Sequence, residues 1–520
     1  MPPTRLPSAW EETSIGEIAD VTGGVTKNAA RVSGHSYPYL RVANVYANSL
    51  RLNEVEEITV SDAELQRVML EKGDLLIVEG NGSLDQIGRV AMWDGSIAPC
   101  VHQNHLIKAR CLDSSLPQWV LYWLLSPEGR ELICRQASST SGLHTLSLSK
   151  VSGLPVRIAP ADVRRSTVEA LDSYLTRLDA ATEGLKRVEA NLKRYRASVL
   201  KAAVEGNLVP TEAELAKEEK REFEPASVLL ERILKERRHR WEQAELAKMK
   251  AKGEVPKNDK WKDKYEEPAA PDTSELPELP EGWCWASAEQ LDSGDRTSGY
   301  GVLVPGPDVE DGVPLVRVGD IQNGRVITAD IKRISRKIAD AFSRTYLRGG
   351  EVLLSLVGTI GRTAVVPESL AGANVARAVA VLPVTSLVRA KWIEIWFRSP
   401  VVRTKLSSKA HEVARKTLNL EDVRLAAVAL PPRLEQERIE TAVEDAESVV
   451  DNCEGGISCN LGRFAHLRQS ILRWAFEGKL VDQNPNDEPA SVLLKRIRSE
   501  RESSQPVKPC KPERTRRKTA

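Results

Sequence analysis

The chain repeats itself once along its length, and this duplication restricts its fold more than any other feature of the sequence. Three of the matching segments, first copy and then second, are Leu6-Pro7-x-x-Trp10 with Leu279-Pro280-x-x-Trp283, Gly73-Asp74-Leu75-Leu76 with Gly350-Glu351-Val352-Leu353, and Ile87-Gly88-Arg89 with Ile360-Gly361-Arg362. The matches keep their order, and their spacing stays between 264 and 277 residues. Chance does not produce such a colinear series, so the chain consists of two copies of one module.

Each copy begins with short apolar runs separated by glycines and polar residues, which is typical of strands. The first copy has four such runs, at Tyr39–Val45, Asp74–Val78, Arg89–Trp93 and His105–Cys111. A helix follows at about Gln118–Leu125, and its Trp119 and Trp123 share one face because they are four residues apart. We expect these indoles to fill a core against the sheet; stacking on nucleic-acid bases is the less favoured alternative.

Each copy ends in a long helix that carries one apolar stripe. The stripe residues are Val168, Leu171, Leu175, Leu178, Leu185, Val188, Leu192 and Val199 in the first copy, and Ile439, Val443, Ala446, Val450, Cys453, Ile457, Phe464 and Ile471 in the second. Steps of three and four residues are typical of a coiled-coil seam. One helix cannot bury such a stripe alone, so we predict that the two helices pair. Gly455-Gly456 should weaken the second helix by ~1 kcal/mol per glycine.

These elements predict an α+β fold class with two duplicated mixed α/β domains and two long helices. The predicted bounds are 1–160 for the first globular domain, 161–206 for the first long helix, 207–278 for a charged, partly helical linker, 279–432 for the second globular domain, 433–478 for the second long helix, and 479–520 for a helical segment with a basic, disordered tail. Within the linker, a short amphipathic helix is expected near Ala226–Leu234.

Composition indicates a globular chain, with 41% apolar and 28% charged residues. The formal net charge is +1, so bulk charge identifies no partner. We interpret the basic residues 495–520 as a solvated end, with non-specific phosphate contact as the alternative. The seven cysteines form no CxxC pair, which favours a cytoplasmic location over a disulfide framework. We find no signal-peptide core and no apolar run of about 18 residues, so no membrane span is expected.

The sequence contains no motif that would support catalysis. It has no Gly-x-x-x-x-Gly-Lys-Ser/Thr loop for a nucleotide, and its single Asn-Pro, at Asn484-Pro485, is not part of an adenine-methylating Asn-Pro-Pro-aromatic site. Cys100, His102 and His105 have plausible metal-ligand spacing, but no fourth ligand is near and the second copy lacks them. We therefore predict no catalytic residue and no metal.

The chain resembles the specificity (S, or HsdS) subunits of type I restriction-modification systems. The segments that carry the resemblance are Leu279-Pro280-Glu281-Gly282-Trp283, Gly82–Arg89 with its shorter counterpart Gly358–Arg362, His102-Gln103-Asn104-His105, Thr145-Leu146-Ser147-Leu148 with Thr417-Leu418-Asn419-Leu420, and the helix entries Pro155–Pro160 and Leu430-Pro431-Pro432. The resemblance covers nearly the whole chain. It implies two target-recognition domains separated by an antiparallel two-helix coiled coil with pseudo-twofold symmetry.

The resemblance also implies a function and partners. Each recognition domain would read one half of a bipartite, asymmetric target in double-stranded DNA, as two readers on a spacer require half-sites at a set separation. The helices would set the spacer and dock two modification (methyltransferase) subunits, and restriction subunits would join the complex. The chain itself would bind no cofactor; S-adenosylmethionine, ATP and Mg²⁺ would belong to the partner subunits.

Candidate DNA contacts are residues of the types that reach base edges and phosphates. They are Lys27, Arg41, Asn81, Ser83, Arg89, Gln103, Asn104 and His144 in the first copy, and Arg296, Arg317, Ser355, Thr359, Arg362, Arg377, Arg415 and Lys416 in the second. The repeated pairs Arg41/Arg317 and Arg89/Arg362 are better explained by scaffolding or backbone contact, because the two copies should read different bases. Unrepeated loop residues are the better candidates for specificity.

Two other functions stay open from the residues alone. A coiled-coil adaptor without DNA contact would share the helices, and a sequence-selective gel shift with the modification subunit distinguishes it. A nuclease fused to a specificity region would nick DNA by itself in Mg²⁺, although no catalytic motif supports it.

Overall fold

The computed structural model describes residues 6–27, 34–140, 143–253, 258–296, 298–409, 411–412 and 416–504. The chain divides into two compact units, one made of Met1–Lys186 with Ser458–Ala520 and the other of Arg187–Ile457. Each unit holds one globular part and a portion of both long helices. The domain bounds predicted above follow the chain instead, and they stay predictions.

The first globular part is built on a four-stranded antiparallel sheet in the order Ala19–Gly23, Leu106–Cys111, Leu75–Val78 and Val90–Met92. A three-stranded sheet pairs His35–Leu40 in parallel with Val101–His102 and antiparallel with Glu56–Val60. The remaining strands are Glu11–Ser14, Val45–Tyr46, Ser49–Leu50, Gly80–Asn81, Ser138–Thr140, Leu143–Thr145 and Pro155–Ile158.

The second globular part repeats this arrangement. Its four-stranded sheet has the order Gly299–Tyr300, Val379–Leu382, Val352–Ser355 and Thr363–Val365, and Val313–Val316 pairs in parallel with Asn374–Val375. The other strands are Cys284–Ser287, Ile321–Gln322, Arg325–Val326, Arg333–Ile334, His411–Glu412, Lys416–Thr417 and Ala427–Leu430. Mixed strands and helices in both units give the α+β fold class.

Three of the four strands expected in the first copy form, but Tyr39–Val45 is not one strand. The strand ends at Leu40, and a 3-10 turn at Val42–Asn44 follows. Asn44 causes the break because its Oδ1 accepts the backbone N–H of Arg41 at 2.8 Å while its Nδ2 donates to the carbonyls of Arg51 and Glu54. A side chain that bonds local backbone groups competes with a strand ladder.

The boundary between the helices Pro117–Leu125 and Pro127–Gln136 has a clear local cause. The α-helices are Ile15–Ile18, Asp62–Val68, Pro117–Leu125, Pro127–Gln136, Leu148–Ser152, Ala161–Val204, Glu212–Glu219, Ala226–Ala251, Arg336–Ala341, Ala390–Arg398, Pro400–Lys409, Leu420–Arg424, Arg433–Phe476 and Ala490–Ser504, and the other 3-10 turns are Asp259–Lys264, Val318–Asp320, Ser343–Thr345 and Glu368–Leu370. Pro127 starts a new helix, whose cap is the Ser126 hydroxyl that accepts the Gly129 N–H at 3.1 Å.

The helices Pro117–Leu125 and Ala390–Arg398, which we call the tryptophan helices, fill the cores of the two globular parts. Trp119 and Trp123 are 0% and 2% exposed, as the core interpretation predicts. Their indole N–H groups donate to the carbonyls of Arg157 and Pro155 at 2.7 and 2.8 Å, on the strand that leads into the first long helix. Trp392 and Trp396 repeat these bonds with the strand Ala427–Leu430. Each indole pair thus attaches a globular part to the start of a long helix.

The two long helices, Ala161–Val204 and Arg433–Phe476, contain 44 residues each and contact each other. In the first unit Arg468 pairs with Asp179, and in the second unit Arg196 pairs with Asp451 at 2.5 Å. Also in the second unit, the apolar core that holds Val199–Val204 includes Ile439 and Val443. As the residue number rises along the first helix, from Asp179 to Arg196, the number of its partner on the second helix falls, from Arg468 to Asp451. The two helices are therefore antiparallel.

The residues of the apolar stripe are not all buried. The buried stripe residues are Leu171, Leu175, Leu178, Val199, Ile439, Val443, Val450, Ile457 and Ile471; Val168, Ala446 and Phe464 pack partly against the cores, and Leu185 and Leu192 are half-buried. Val188 is 46% exposed and Cys453 is also exposed, so their assignment to the seam was wrong. Leu171 shares a core with Trp119, and Val443 shares one with Trp392. The ends of the stripe thus bury against the globular parts as well as the partner helix.

Each globular part also packs on the end of the long helix that belongs to the other copy. In the first unit, Gly478 lies against Pro7, and the Ala490 N–H donates to the Ala9 carbonyl at 3.0 Å. In the second unit, Gly206 lies against Pro280, and the Ala226 N–H donates to the Gly282 carbonyl at 2.8 Å. Gly478 and Gly206 both have positive φ, at 70° and 71°, so a side chain at either position would be strained as well as crowded.

The linker helix is longer than the sequence indicated: it runs over Ala226–Ala251 instead of ending near Leu234. Its charged second half is supported by the ion pairs Arg240–Glu236, Arg238–Glu242 and Lys248–Glu245. Trp241 also stacks on Trp261 with ring centroids 6.1 Å apart. Residues 505–520 of the predicted tail lie outside the described residues. Across the part of the chain that the structure describes, no helix has the length and apolar character that a membrane span needs.

Candidate DNA interface

Two candidate cations of the first copy share one carboxylate. Lys27 lies 3.4 Å from Glu56, and Arg41 lies 2.6 Å from the other oxygen of the same carboxylate. Glu56 is 44% exposed, and pairs in such a setting are worth only about 0–1 kcal/mol. A DNA phosphate can therefore replace Glu56 as the partner of both cations at little cost.

Asn81, Ser83 and His144 come together on neighbouring strands. Asn81 lies opposite His144 in the pairing of Gly80–Asn81 with Leu143–Thr145, and its Oδ1 accepts the Ser83 N–H at 3.0 Å. His105, which we did not single out as a DNA contact, lies next to the start of the Gly80–Asn81 strand: its carbonyl accepts the Glu79 N–H at 2.9 Å, and its Nδ1 is 2.8 Å from the Glu79 carboxylate. Only its place two residues after Gln103 could have suggested it.

Gln103 and Asn104 lie beside Arg41. The Gln103 N–H donates to the Leu40 carbonyl at 2.9 Å, and its side-chain Oε1 accepts the Val42 N–H at 3.4 Å. The Asn104 N–H donates to Val25, two residues before Lys27. The parallel pairing of His35–Leu40 with Val101–His102 brings these distant segments together.

The repeated arginines Arg89 and Arg362 brace the backbone. Arg89 donates to the Val42 carbonyl at 3.4 Å, and Arg362 donates to the carbonyls of Val318 and Ile321 at 3.2 and 3.4 Å. Val318 is the repeat counterpart of Val42, so the same support recurs in both copies. This geometry favours the scaffolding interpretation for this pair.

In the second copy, Arg317 pairs with Asp320 at 2.9 Å, while the side chains of Thr359, Arg377 and Lys416 are exposed. The Gly358 N–H donates to the Lys416 carbonyl at 3.1 Å, which places Thr359 beside that strand. Arg415 lies outside the described residues.

Arg296 and Ser355 point into the protein. Arg296 is 13% exposed, pairs with Glu351 and donates to the Tyr346 carbonyl at 2.9 Å. Ser355 is 0% exposed, and its hydroxyl donates to the Thr359 carbonyl. Because their polar groups already have protein partners, we do not carry these two residues into the proposed interface.

A cationic groove of the second unit escaped the sequence reasoning. It has a volume of about 610 Å³ and lies between the first long helix (Lys193, Arg196) and the second globular part (Arg362, Arg403). Arg196 is held by Asp451 and Glu454. Arg403 has no hydrogen-bond or ion-pair partner among the residues that the structure describes. Its recurrence as Arg130, three residues after each Ser-Pro, was the available signal.

Two of the three candidate metal ligands of the first copy, Cys100 and His102, belong to the core, whereas His105 is exposed. Burial lowers the pKa of His102 to about 4 and raises the pKa of Cys100 to about 12, so both are neutral near pH 7. The His102 Nδ1 lies 3.0 Å from the Val68 carbonyl. Among the described residues, no group of three His, Cys, Asp or Glu side chains could hold a metal ion.

Comparisons with known proteins identify the family. No protein-family model matches the chain. The type I restriction enzyme EcoBI specificity subunit of Escherichia coli is 31% identical over 509 residues, covering 95% of this chain and 93% of that protein. The EcoDI specificity subunit of Escherichia coli is 22% identical over 534 aligned positions, covering 96% and 97%.

A solved structure, from work on the complex assembly and conformational transition of the type I R-M system, has the same fold. It gives a TM-score of 0.57 at 16% identity and covers 92% of this chain and 100% of that one. Two duplicated α+β units, joined by paired 44-residue helices and related over nearly full length to EcoBI, place this chain among the specificity subunits of type I restriction enzymes.

Proposed function

We propose that this specificity subunit, the non-catalytic subunit that recognises the DNA target, reads a bipartite and asymmetric sequence with one globular part on each half-site. One observation carries the proposal: the two units share a sheet order and a tryptophan helix but differ in exposed polar groups. Lys27 and Arg41 share Glu56 in the first copy, whereas Arg317 pairs with its neighbour Asp320 in the second. A common scaffold with different surfaces suits two readers of different base sequences.

We propose that the long helices set the spacer and dock two modification subunits. Large apolar side chains on these helices stay uncovered, namely Tyr174, Val188, Tyr195, Leu434, Val449, Leu467 and Trp474, which are 43–60% exposed. These side chains are available for a partner subunit to cover, as apolar surface is at protein–protein interfaces. Restriction subunits would join through the modification subunits.

Catalytic cofactors would reside in the partners. We propose that S-adenosylmethionine, ATP and Mg²⁺ bind to the modification and restriction subunits, because this sequence lacks a phosphate-binding loop and an adenine-methylating motif. The DNA partner and cysteines without a CxxC pair support a cytoplasmic location.

The test is methylation mapping of a host that expresses this chain with its modification subunit. We expect one bipartite, non-palindromic motif with a set spacer. A variant with Lys27→Ala and Arg41→Ala should lower methylation of all target copies, because it removes phosphate contacts. Methylation without sequence preference, or a motif without two halves, would overturn the proposal and favour the adaptor alternative.

A further inference from the structure

The two copies differ most clearly in one loop of an otherwise shared hairpin. In the first copy the loop is closed by the Gly88 N–H on the Val78 carbonyl at 3.1 Å, and in the second by the Gly361 N–H on the Ser355 carbonyl at 3.0 Å. Nine residues separate the closing pair in the first copy and five in the second. The first copy therefore carries four additional residues on the same frame.

The short loop of the second copy is held from inside. The buried Ser355 hydroxyl donates to the Thr359 carbonyl at 2.5 Å and accepts the Arg362 N–H at 2.8 Å. The first copy has Val78 at this position, which has no hydroxyl to offer.

The long loop of the first copy is held from outside, by the helix Pro127–Gln136. Arg130 donates to the carbonyls of Ile87 and Asp85 at 2.7 and 3.0 Å, and the Cys134 thiol donates to the Leu84 carbonyl at 3.6 Å. Arg130 is half-buried, and burial of a guanidinium is costly unless its donors are satisfied. The helix thus fixes the loop backbone while leaving its side chains free.

Those side chains face solvent as an ordered polar group. Residues 82–85 are all exposed, and Leu84 is 44% exposed. The Ser83 hydroxyl and the Gln86 amide, at 2.7 Å for the amide, both donate to Asp85, and these bonds lower the pKa of its carboxyl. The loop follows Asn81, whose strand partner is His144. The buried Ile87 anchors the end of the loop in the core, whereas residues 82–85 face solvent.

We propose that Gly82–Gln86 is a base-reading loop that gives the first globular part contacts that the second lacks, and that Arg130 is its positioning residue. The proposal rests on the proposed function above. Ser, Asp and Gln side chains read base edges in the major groove, and an apolar tip such as Leu84 suits the thymine methyl group. Arg403, the counterpart of Arg130, makes no hydrogen bond to the shorter loop among the described residues, so its guanidinium is available for a phosphate.

The test compares Arg130→Ala with Arg403→Ala in the complex with the modification subunit. Methylation rates are measured on DNA duplexes that carry single base changes in either half-site. Arg130→Ala should reduce discrimination at one or two positions of one half-site by about tenfold or more, and leave the other half-site unchanged. Arg403→Ala should slow methylation of all duplexes alike.

Two further variants keep the outcome decisive. Deletion of residues 82–85 shortens the loop to the length of its counterpart and should reduce base discrimination at the same half-site as Arg130→Ala. This variant tests the loop even if Arg130→Ala does not fold. Arg130→Lys should restore part of the discrimination, because the ammonium still donates to a loop carbonyl. Wild-type discrimination in the deletion variant, or equal loss at both half-sites, would overturn the loop assignment. Absence of any half-site in the wild-type protein would instead refute the proposed function.

Discussion

A buried charge cluster in the second unit allows a strong test of what holds this fold together. Glu394 is 0% exposed, and its carboxylate lies 2.6 Å from Arg398, which is 8% exposed. Arg398 also pairs with the buried Glu447 of the second long helix. At the repeat-related positions the first copy has Leu121, Leu125 and Leu175, all three packed in its core or against it. Lys391 adds a fourth charge, 2.9 Å from Glu394, where the first copy has Gln118. The same architecture thus exists once with four charges and once with three leucines and a glutamine.

The perturbation is the exchange of Glu394, Arg398 and Glu447 for leucine together, which we call the triple variant. It also carries Lys391→Gln, because Lys391 would lose Glu394 as its partner and the first copy has Gln118 at that position. Replacing a buried ion cluster by apolar residues of similar volume is neutral or stabilises a protein by about 1–4 kcal/mol, because the desolvation penalty disappears. Arg398→Leu alone leaves the buried Glu447 without a cation and Glu394 with Lys391 alone, and it should destabilise the chain by about 3–5 kcal/mol. The two variants should therefore differ by roughly 3–9 kcal/mol, although the triple variant contains the single change.

The assay is urea unfolding of the full chain, monitored by tryptophan fluorescence, to which Trp392 and Trp396 on the adjoining tryptophan helix contribute. Calorimetry gives a second measure of stability. The triple variant should unfold at the wild-type urea concentration or above it, and Arg398→Leu well below it. Glu394→Leu alone should also destabilise, since Arg398 then keeps only Glu447. If the triple variant is as unstable as Arg398→Leu, the cluster contributes net stability and the reasoning from the leucine copy is refuted.

Three other outcomes are expected. Gly455→Ala and Gly456→Ala should each raise stability by up to ~1 kcal/mol in urea unfolding, because the helix bears a glycine cost there and no atom lies within 4 Å of the added carbon; unchanged or lower stability would contradict this. Burial raises the pKa of Asp292 to about 8 from an ordinary value of 3.8, so the folded chain keeps a proton that the unfolded chain loses. The contribution of this retained proton to the free energy of unfolding is complete below about pH 4 and is lost as the pH rises through 8. Asp292→Asn should flatten this part of the pH profile of the melting temperature, and an unaltered profile would refute the raised pKa of Asp292. Insertion of about one helical turn after Lys201 should change the spacer of the methylated motif and keep both half-sites, whereas an unchanged spacer would count against the helices as its determinant.

Parts of the site could be reached from the sequence and parts could not. Repeated motifs led to Arg89 and Arg362 and to the scaffolding interpretation that their carbonyl bonds favour. Residue type alone led to Arg296 and Ser355, whose side chains are turned inward and bonded to the protein. Residue type says what a side chain can bind, but only the neighbours show whether that capacity is already used.

The sequence by itself determined the duplication, the tryptophan helices and the two long helices. These features depend on local periodicity and on motifs that recur at a nearly constant spacing, both of which are written along the chain. Only the tertiary structure decided that each globular part packs on the end of the long helix of the other copy. There Pro7 lies against Gly478, and Pro280 lies against Gly206. The Trp10 indole, for example, donates to Gln483, 473 residues away. Such contacts leave no periodic trace, because they depend on complementary shape between segments that are distant along the chain and meet only after folding.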